Sequence, residues 1–446
     1  GGDRPSPPPP PRQRRHLMRH GARALVTLAL ASRCAWSSRV SLRRRGQHGR
    51  AAYRQTLHNH QNVQYFADFD IGGQQIAGIF DTGSFELLVR SSRCDHCIHP
   101  TPPYDHKRSD TYRSNGTVAK HVFGSGPCVS VMGYESVTVG GVLHAERQAF
   151  WEIVDHRIRV LDTARFAAIV GIGPNFAAEN AEKTLLTSYG ISAFSICLQR
   201  ESGSPGFLTW DAPRGDDEGR IVVPVIGKHH WVTRLQDVTF IKPLAHLEQI
   251  PCGDERGCAA IIDSGTSLIA APGIALMLLS EQIPPIKEDC SNLDDLPTLL
   301  LKLDGHDLEL PPEAYVMRVT GAVLTADDVW DVLFFKPRIR RLDMCMPAFM
   351  QIDMMSQFGP VWILGMPFLR YYHTTFDRER REMRLAAAGD SCEALPLHTG
   401  NGSAAMLQRG GRAVRAPMPV EVDAIVPPRL SGMMDYPFGS DGEMDL

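Results

Sequence analysis

Two short motifs in this sequence carry the residues for acid–base chemistry. Ile79-Phe80-Asp81-Thr82-Gly83-Ser84 recurs as Ile261-Ile262-Asp263-Ser264-Gly265-Thr266. Each is an apolar run followed by an acid, a hydroxyl residue and a glycine, which puts a carboxylate at a tight turn just past a buried strand. The glycine lets backbone and substrate come close, and the nearby hydroxyls can hold the carboxylate. One such motif is explained equally well by an ordinary turn. Two copies 182 residues apart are not so easily explained. Two carboxylates brought to one buried site cannot both ionise cheaply, so they share a proton and titrate as a unit. The ionised member can take a proton from a water while the neutral one polarises a carbonyl. Neither motif contains a His or a second carboxylate, so metal binding is not expected, and the chemistry needs no cofactor.

The elements that must position these acids are also repeated. Ala168-Ile169-Val170-Gly171 and Trp362-Ile363-Leu364-Gly365 each follow an Asp motif at a similar interval. Alone, either is a buried strand ending in a turn; in register, they read as two copies of one unit. From about Asn62 the texture is β-rich. Residues 63–71 and 76–80 flank Gly72-Gly73 as a hairpin, and further strands are expected at 129–139, 207–210 and 221–225. Helices are expected only at 178–188 and 273–281. Many strands with few helices predict an all-β architecture.

Composition narrows the function classes. With 43% hydrophobic and 22% charged residues, the 446-residue chain is neither collagen-like, wholly disordered nor a coiled coil. Residues 1–60 hold 13 of the 47 bases and one of the 50 acids, leaving 34 bases against 49 acids in the rest. A body that acidic repels a phosphate backbone, so nucleic acid is not an expected partner. The apolar stretch 24–31 falls short of the roughly 20 residues a membrane-spanning helix needs. It follows a basic start at Met18 and precedes small residues, the layout of a secretory signal peptide over 18–32. Residues 1–17 then read as an upstream or artefactual segment, and the basic residues 33–58 as a removable pro-segment. Ten cysteines and the sequons at Asn115 and Asn401 agree with an oxidising, glycosylating compartment.

With these residues in place, the chain from about Gln64 to Ala386 resembles the pepsin-like aspartic endopeptidases. The resemblance is carried by Tyr65-Phe66-Ala67-Asp68-Phe69-Asp70-Ile71-Gly72, both Asp motifs, Asp289-Cys290 and Leu296-Pro297. It extends through Trp362-Ile363-Leu364-Gly365, Phe368-Leu369-Arg370-Tyr371-Tyr372 and Phe376-Asp377-Arg378. The wording around Asp81 and the pair Cys94-x-x-Cys97 look somewhat like the plasmepsin-type enzymes of apicomplexan parasites.

The resemblance implies a bilobal fold, two related β lobes with a cleft between them: an N-terminal lobe over 59–222 with Asp81, and a C-terminal lobe over 223–386 with Asp263. Residues 387–446 are expected as a flexible extension. Asp81 and Asp263 would be the catalytic pair, with Thr82 and Ser264 bonding across the lobes and Ser84 and Thr266 orienting the outer carboxylate oxygens. Gly83 and Gly265 complete the two turns. A hairpin flap should lie at His121-Val122-Phe123-Gly124-Ser125-Gly126. Ile79, Phe123, Phe166 and Ile169 are candidates for an apolar pocket that takes large hydrophobic side chains.

Several positions depart from the family. Phe123 stands where Tyr is usual and Leu88 where Trp is usual; losing both partners strands no polar group, and the two are expected to form an apolar pair. Ala167-Ala168 replaces the usual Asp-Gly, and Met366 an acid. Cys290–Cys345 and Cys252–Cys258 match family disulfides. Cys94 and Cys97 could pair with each other, or one of them with Cys128; a redox or zinc half-site is the rival reading. The expected protein is a monomeric aspartic endopeptidase of the secretory pathway or an acidic organelle, made as a zymogen and acting on proteins or peptides with its own pro-segment as inhibitor. A catalytically silent peptide-binding pseudoprotease on the same fold is the alternative.

Overall fold

The structure, a computed structural model, describes Gly1 and residues 51–446 apart from 99, 177–182, 214–217, 243–244, 247–249, 253–256, 326–337, 401–402, 406–415, 423–442 and 445–446. The expected signal peptide, most of the pro-segment and the sequon at Asn401 lie outside the described residues. Among the described residues, no helix is long and apolar enough to cross a membrane.

The hairpin at the start of the β-rich region forms as its glycines dictate. Gln64–Ile71 and Gln74–Asp81 pair antiparallel, and Gly72 and Gly73 take φ of +58° and +75°, the doubly left-handed turn that matches strand twist. Tyr65, Ala67, Phe69 and Ile71 alternate into the core. Gln74–Asp81 then runs parallel to Ala168–Gly171, with Asp81 opposite Gly171. The second copy repeats the arrangement: Cys258–Ile262 runs parallel to Gly359–Leu364, and the Asp263 N–H donates to Leu364 O at 3.0 Å. In both copies the glycine that ends the paired strand is required by space. A Cβ on Gly171 would strike the backbone of Glu86, and one on Gly365 the carbonyls of Thr266 and Leu268.

The Asp81 strand lies in a 14-stranded sheet, one end of which brings in strands from late in the chain. That end runs in the order Ile221–Pro224, Glu382–Ala388, Tyr372–Asp377, Ala193–Leu198, Gly206–Trp210 and Tyr53–His60, which continues into Gln64–Ile71. Residues 372–386, expected within the C-terminal lobe, thus sit beside strands of the N-terminal one. Phe194 stacks on Phe376 with centroids 4.9 Å apart, Trp231 packs on both, and Phe80, next to Asp81, meets Trp210 edge-on at 5.8 Å. These rings sit behind the Asp81 strand and tie it to that end of the sheet.

The structure differs from the sequence reading at three edges. Tyr53–His60 crosses the expected pro-segment boundary at 58, because Tyr53–Leu57 pairs with Gly206–Trp210. The segment expected as a flexible extension contains Met418–Val422, which runs parallel to Met317–Gly321; Met418, Val420 and Val422 alternate with Pro419 and Glu421, a run too short to stand out in the surrounding sequence. The expected helix 178–188 is described only from residue 183; there Leu185–Tyr189 is helical, capped by Thr184 and ended by left-handed Gly190. The helix Gly273–Gln282 lies where 273–281 was expected.

Candidate active site

Each acid stands at the end of its strand, where a turn folds its own backbone back onto it. The Gly83 N–H donates to Asp81 Oδ1 at 2.8 Å, and the Ser84 hydroxyl to Asp81 Oδ2 at 2.6 Å. The Gly265 N–H and the Thr266 hydroxyl hold Asp263 in the same way, at 2.7 and 2.6 Å. Both Asp residues are buried, and the two carboxylates share a donor: the Gly83 N–H lies 2.8 Å from Asp81 Oδ1 and 3.1 Å from Asp263 Oδ1. Burial pushes the Asp81 carboxyl well above the ordinary aspartate range, the neighbouring Asp263 charge raises it further, and the bonds from Ser84 and Gly83 offset this in part.

The hydroxyls beside the acids lock the loops to each other. Thr82 Oγ1 donates to Ile262 O at 2.8 Å and accepts the Ser264 N–H at 2.9 Å. Ser264 Oγ returns the pattern, donating to Phe80 O at 2.6 Å and accepting the Thr82 N–H at 3.1 Å. Four buried bonds thus fix two segments about 180 residues apart in sequence. The glycines are set by the same closeness: a Cβ on Gly83 would sit 2.6 Å from Asp263 Cγ, and one on Gly265 2.7 Å from Asp81 Cγ.

The segment expected as a flap forms a hairpin of Arg113–Phe123 and Gly126–Val139, with Phe123 opposite Gly126 and an exposed turn at Gly124 and Ser125. Phe123 and Ile79, both partly buried, pack against a buried cluster containing Leu88, Phe166 and Ile169. The structure therefore gathers all four pocket candidates, with Leu88, into one apolar group. Phe166 and Ile169 are nearly closed off from solvent, so Phe123 and Ile79 present the accessible side of it.

Two features escaped the sequence reading. Glu86 bridges Trp151 and the flap residue His121. His230 sets its Nδ1 2.8 Å from Gly83 O, and burial holds its pKa below the ordinary imidazole value. Among the described residues, no three His, Cys, Asp or Glu side chains are arranged to hold a metal ion.

Cysteine pairs form among the described residues. Cys290 pairs with Cys345, Cys252 with Cys258 and Cys94 with Cys97, at Cα separations of 5.5, 5.0 and 5.3 Å. Cys197–Cys392 is a fourth pair that spacing did not reveal. Cys128 is a free, buried thiol whose pKa burial pushes up to about 12.

Residues 64–326 and 329–388 match the family described as eukaryotic aspartyl protease, which covers well over half of the chain. The chain belongs to the eukaryotic aspartyl protease family. It is 28% identical to cathepsin D of Rattus norvegicus over 365 residues, 74% of this chain and 82% of that one. Pepsin A of Bos taurus is 27% identical over 363 residues, with 74% and 86% covered. Vacuolar protease A of Neurospora crassa is 27% identical over 350 residues, with 74% and 80% covered. Pepsin-like kinship and an all-β fold agree with the sequence reading.

Proposed function

We propose that this family member is an active aspartic endopeptidase in which Asp81 and Asp263 activate a water against a peptide carbonyl. The observation that carries the reading is a pair of buried carboxylates held by matching turns and bridged by one shared donor, the Gly83 N–H. Asp263 accepts three bonds, from Gly83, Gly265 and Thr266, whereas Asp81 accepts two from the surrounding turn, from Gly83 and Ser84. More donors favour the charged form, so Asp263 is the ionised base and Asp81 carries the shared proton. Water gives its proton to Asp263 as its oxygen attacks, while the Asp81 hydroxyl donates to the carbonyl oxygen. Collapse of the resulting gem-diol returns a proton to the leaving amine.

The apolar group around Phe123 and Ile79 favours large hydrophobic side chains at the cleavage site. The basic residues from 33 up to the strand Tyr53–His60 supply an inhibitory pro-segment complementary to the acidic body, in a monomer that passes through the secretory pathway to an acidic compartment. Nearer kinship with the plasmepsin-type enzymes rests on the wording around Asp81 and on the Cys94–Cys97 pair. The test is cleavage of an unstructured protein between about pH 4 and 6, with a statine-type peptide as inhibitor. Inhibitable cleavage is expected, and binding of the peptide without any cleavage would instead support a silent pseudoprotease.

A further inference from the structure

The flap lacks the polar contact that Tyr at 123 and Trp at 88 give its relatives, yet the structure supplies a polar tether by another route. Glu86 lies five residues after Asp81, on the loop leading into Leu87–Arg90. Its backbone is pinned from behind, since the Gly171 N–H donates to Glu86 O at 2.9 Å. Both carboxylate oxygens are engaged: Oε1 accepts the Trp151 indole N–H at 2.8 Å, and Oε2 lies 3.1 Å from His121 Nδ1. Trp151 is the register partner of Leu88, so an indole still sits beside that position. His121 is on the flap strand, two residues before Phe123, and its ring meets the Trp151 ring edge-on with centroids 4.8 Å apart.

We propose that Glu86 and His121, backed by Trp151, form the latch that positions the flap over the Asp pair, an inference that rests on the endopeptidase reading above. The chemistry fits a fixed tautomer. His121 Nδ1–H donates to the Glu86 carboxylate, and its buried Nε2, which has no partner, remains an acceptor. A carboxylate acceptor makes this a charge-assisted bond, stronger than the neutral hydroxyl–indole contact it replaces. The latch reaches from the loop that carries Asp81 to the strand that carries Phe123. Flap position and Asp81 position are thereby coupled through one side chain. Glu86 and His121 are positioning residues: they touch neither the substrate carbonyl nor the attacking water.

The experiment is hydrogen exchange of the flap amides over residues 113–126, read alongside kcat and KM on a peptide substrate. Glu86→Ala and His121→Phe are each expected to speed flap exchange by about tenfold, the scale of one charge-assisted hydrogen bond. They should raise KM more than they lower kcat, and the double variant should be no worse than either single one. Glu86→Gln, which keeps one acceptor for Trp151, should recover part of the protection. If Glu86→Ala does not fold, His121→Phe and Glu86→Gln carry the same comparison. Flap exchange identical to wild type in these variants would overturn the latch. Exchange does not depend on catalysis, so an inactive wild-type protein would overturn the endopeptidase reading while leaving the latch to be judged on its own data.

Discussion

The two Asp loops have nearly the same backbone geometry and unequal electrostatics. Each ends a strand that runs parallel to an apolar partner, and each carboxylate takes one backbone N–H and one hydroxyl from its own turn. The inequality comes from one additional bond. The Gly83 N–H reaches across to Asp263 Oδ1 at 3.1 Å as well as holding Asp81 at 2.8 Å, whereas the Gly265 N–H holds Asp263 alone. His230, bonded to the Gly83 carbonyl, buttresses the N-terminal loop. A duplicated fold thus delivers two equivalent acids, and a third donor to one of them separates their roles.

The largest expected effect removes one half of the pair. Asp81→Asn or Asp263→Asn should lower kcat by at least about 10²–10⁴-fold, the contribution of a positioned acid or base, with the fold retained by circular dichroism. Near-normal turnover in either variant would refute the assignment of both loops. Gly83→Ala and Gly265→Ala probe the closeness of the loops: each places a methyl group against the opposite carboxylate, and we expect a loss in kcat/KM of about 10²-fold. If only one of the two glycines is sensitive, the loops are less alike than their backbones indicate.

Thr82→Ala and Ser264→Ala each leave a buried N–H on the other loop without its acceptor, a cost of about 1–3 kcal/mol in denaturant unfolding. Similar losses at the two sites would sharpen the symmetry of the lock, and no loss at either would break it.

The smallest effect is one of pH, and its sign runs opposite to that of an ordinary ion-paired aspartate. Asp81 holds its proton more tightly in the folded than in the unfolded chain, so the folded state carries the extra proton above the ordinary aspartate value of 3.8. Stability therefore falls as pH rises from that value through the raised one. Asp81→Asn should accordingly be more stable than wild type at neutral pH, with the gain vanishing in acid. Thermal unfolding of both proteins across pH checks this, and a neutral-pH loss of stability in Asp81→Asn would contradict it.

What the sequence made legible was local. The Asp loops could be read because strand, acid, hydroxyl and glycine are adjacent, and the flap because Phe123 through Gly126 lies at a fixed place in a resembling family. Glu86 was invisible because a single acid after a turn has no pattern, and its partners lie 35 and 65 residues away. Cys197–Cys392 closes over 195 residues, further than any spacing argument reaches. Met418–Val422 alternates for only five residues, and Tyr53–His60, paired with both Gly206–Trp210 and Gln64–Ile71, carries few apolar residues, so neither stands out in the sequence. The resemblance placed residues 372–386 with the second lobe, whereas the strand Tyr372–Asp377 pairs with Ala193–Leu198 of the first.

The most direct measurement is a carboxyl-carbon NMR titration of protein labelled at aspartate, with the two resonances assigned through Asp81→Asn and Asp263→Asn. The predicted result is an Asp81 signal that stays protonated well above the ordinary aspartate range and shifts downward, though burial keeps it raised, once Asp263 is replaced. An Asp81 signal that titrates at or below the ordinary range, unmoved by that replacement, would contradict a shared proton resting on Asp81.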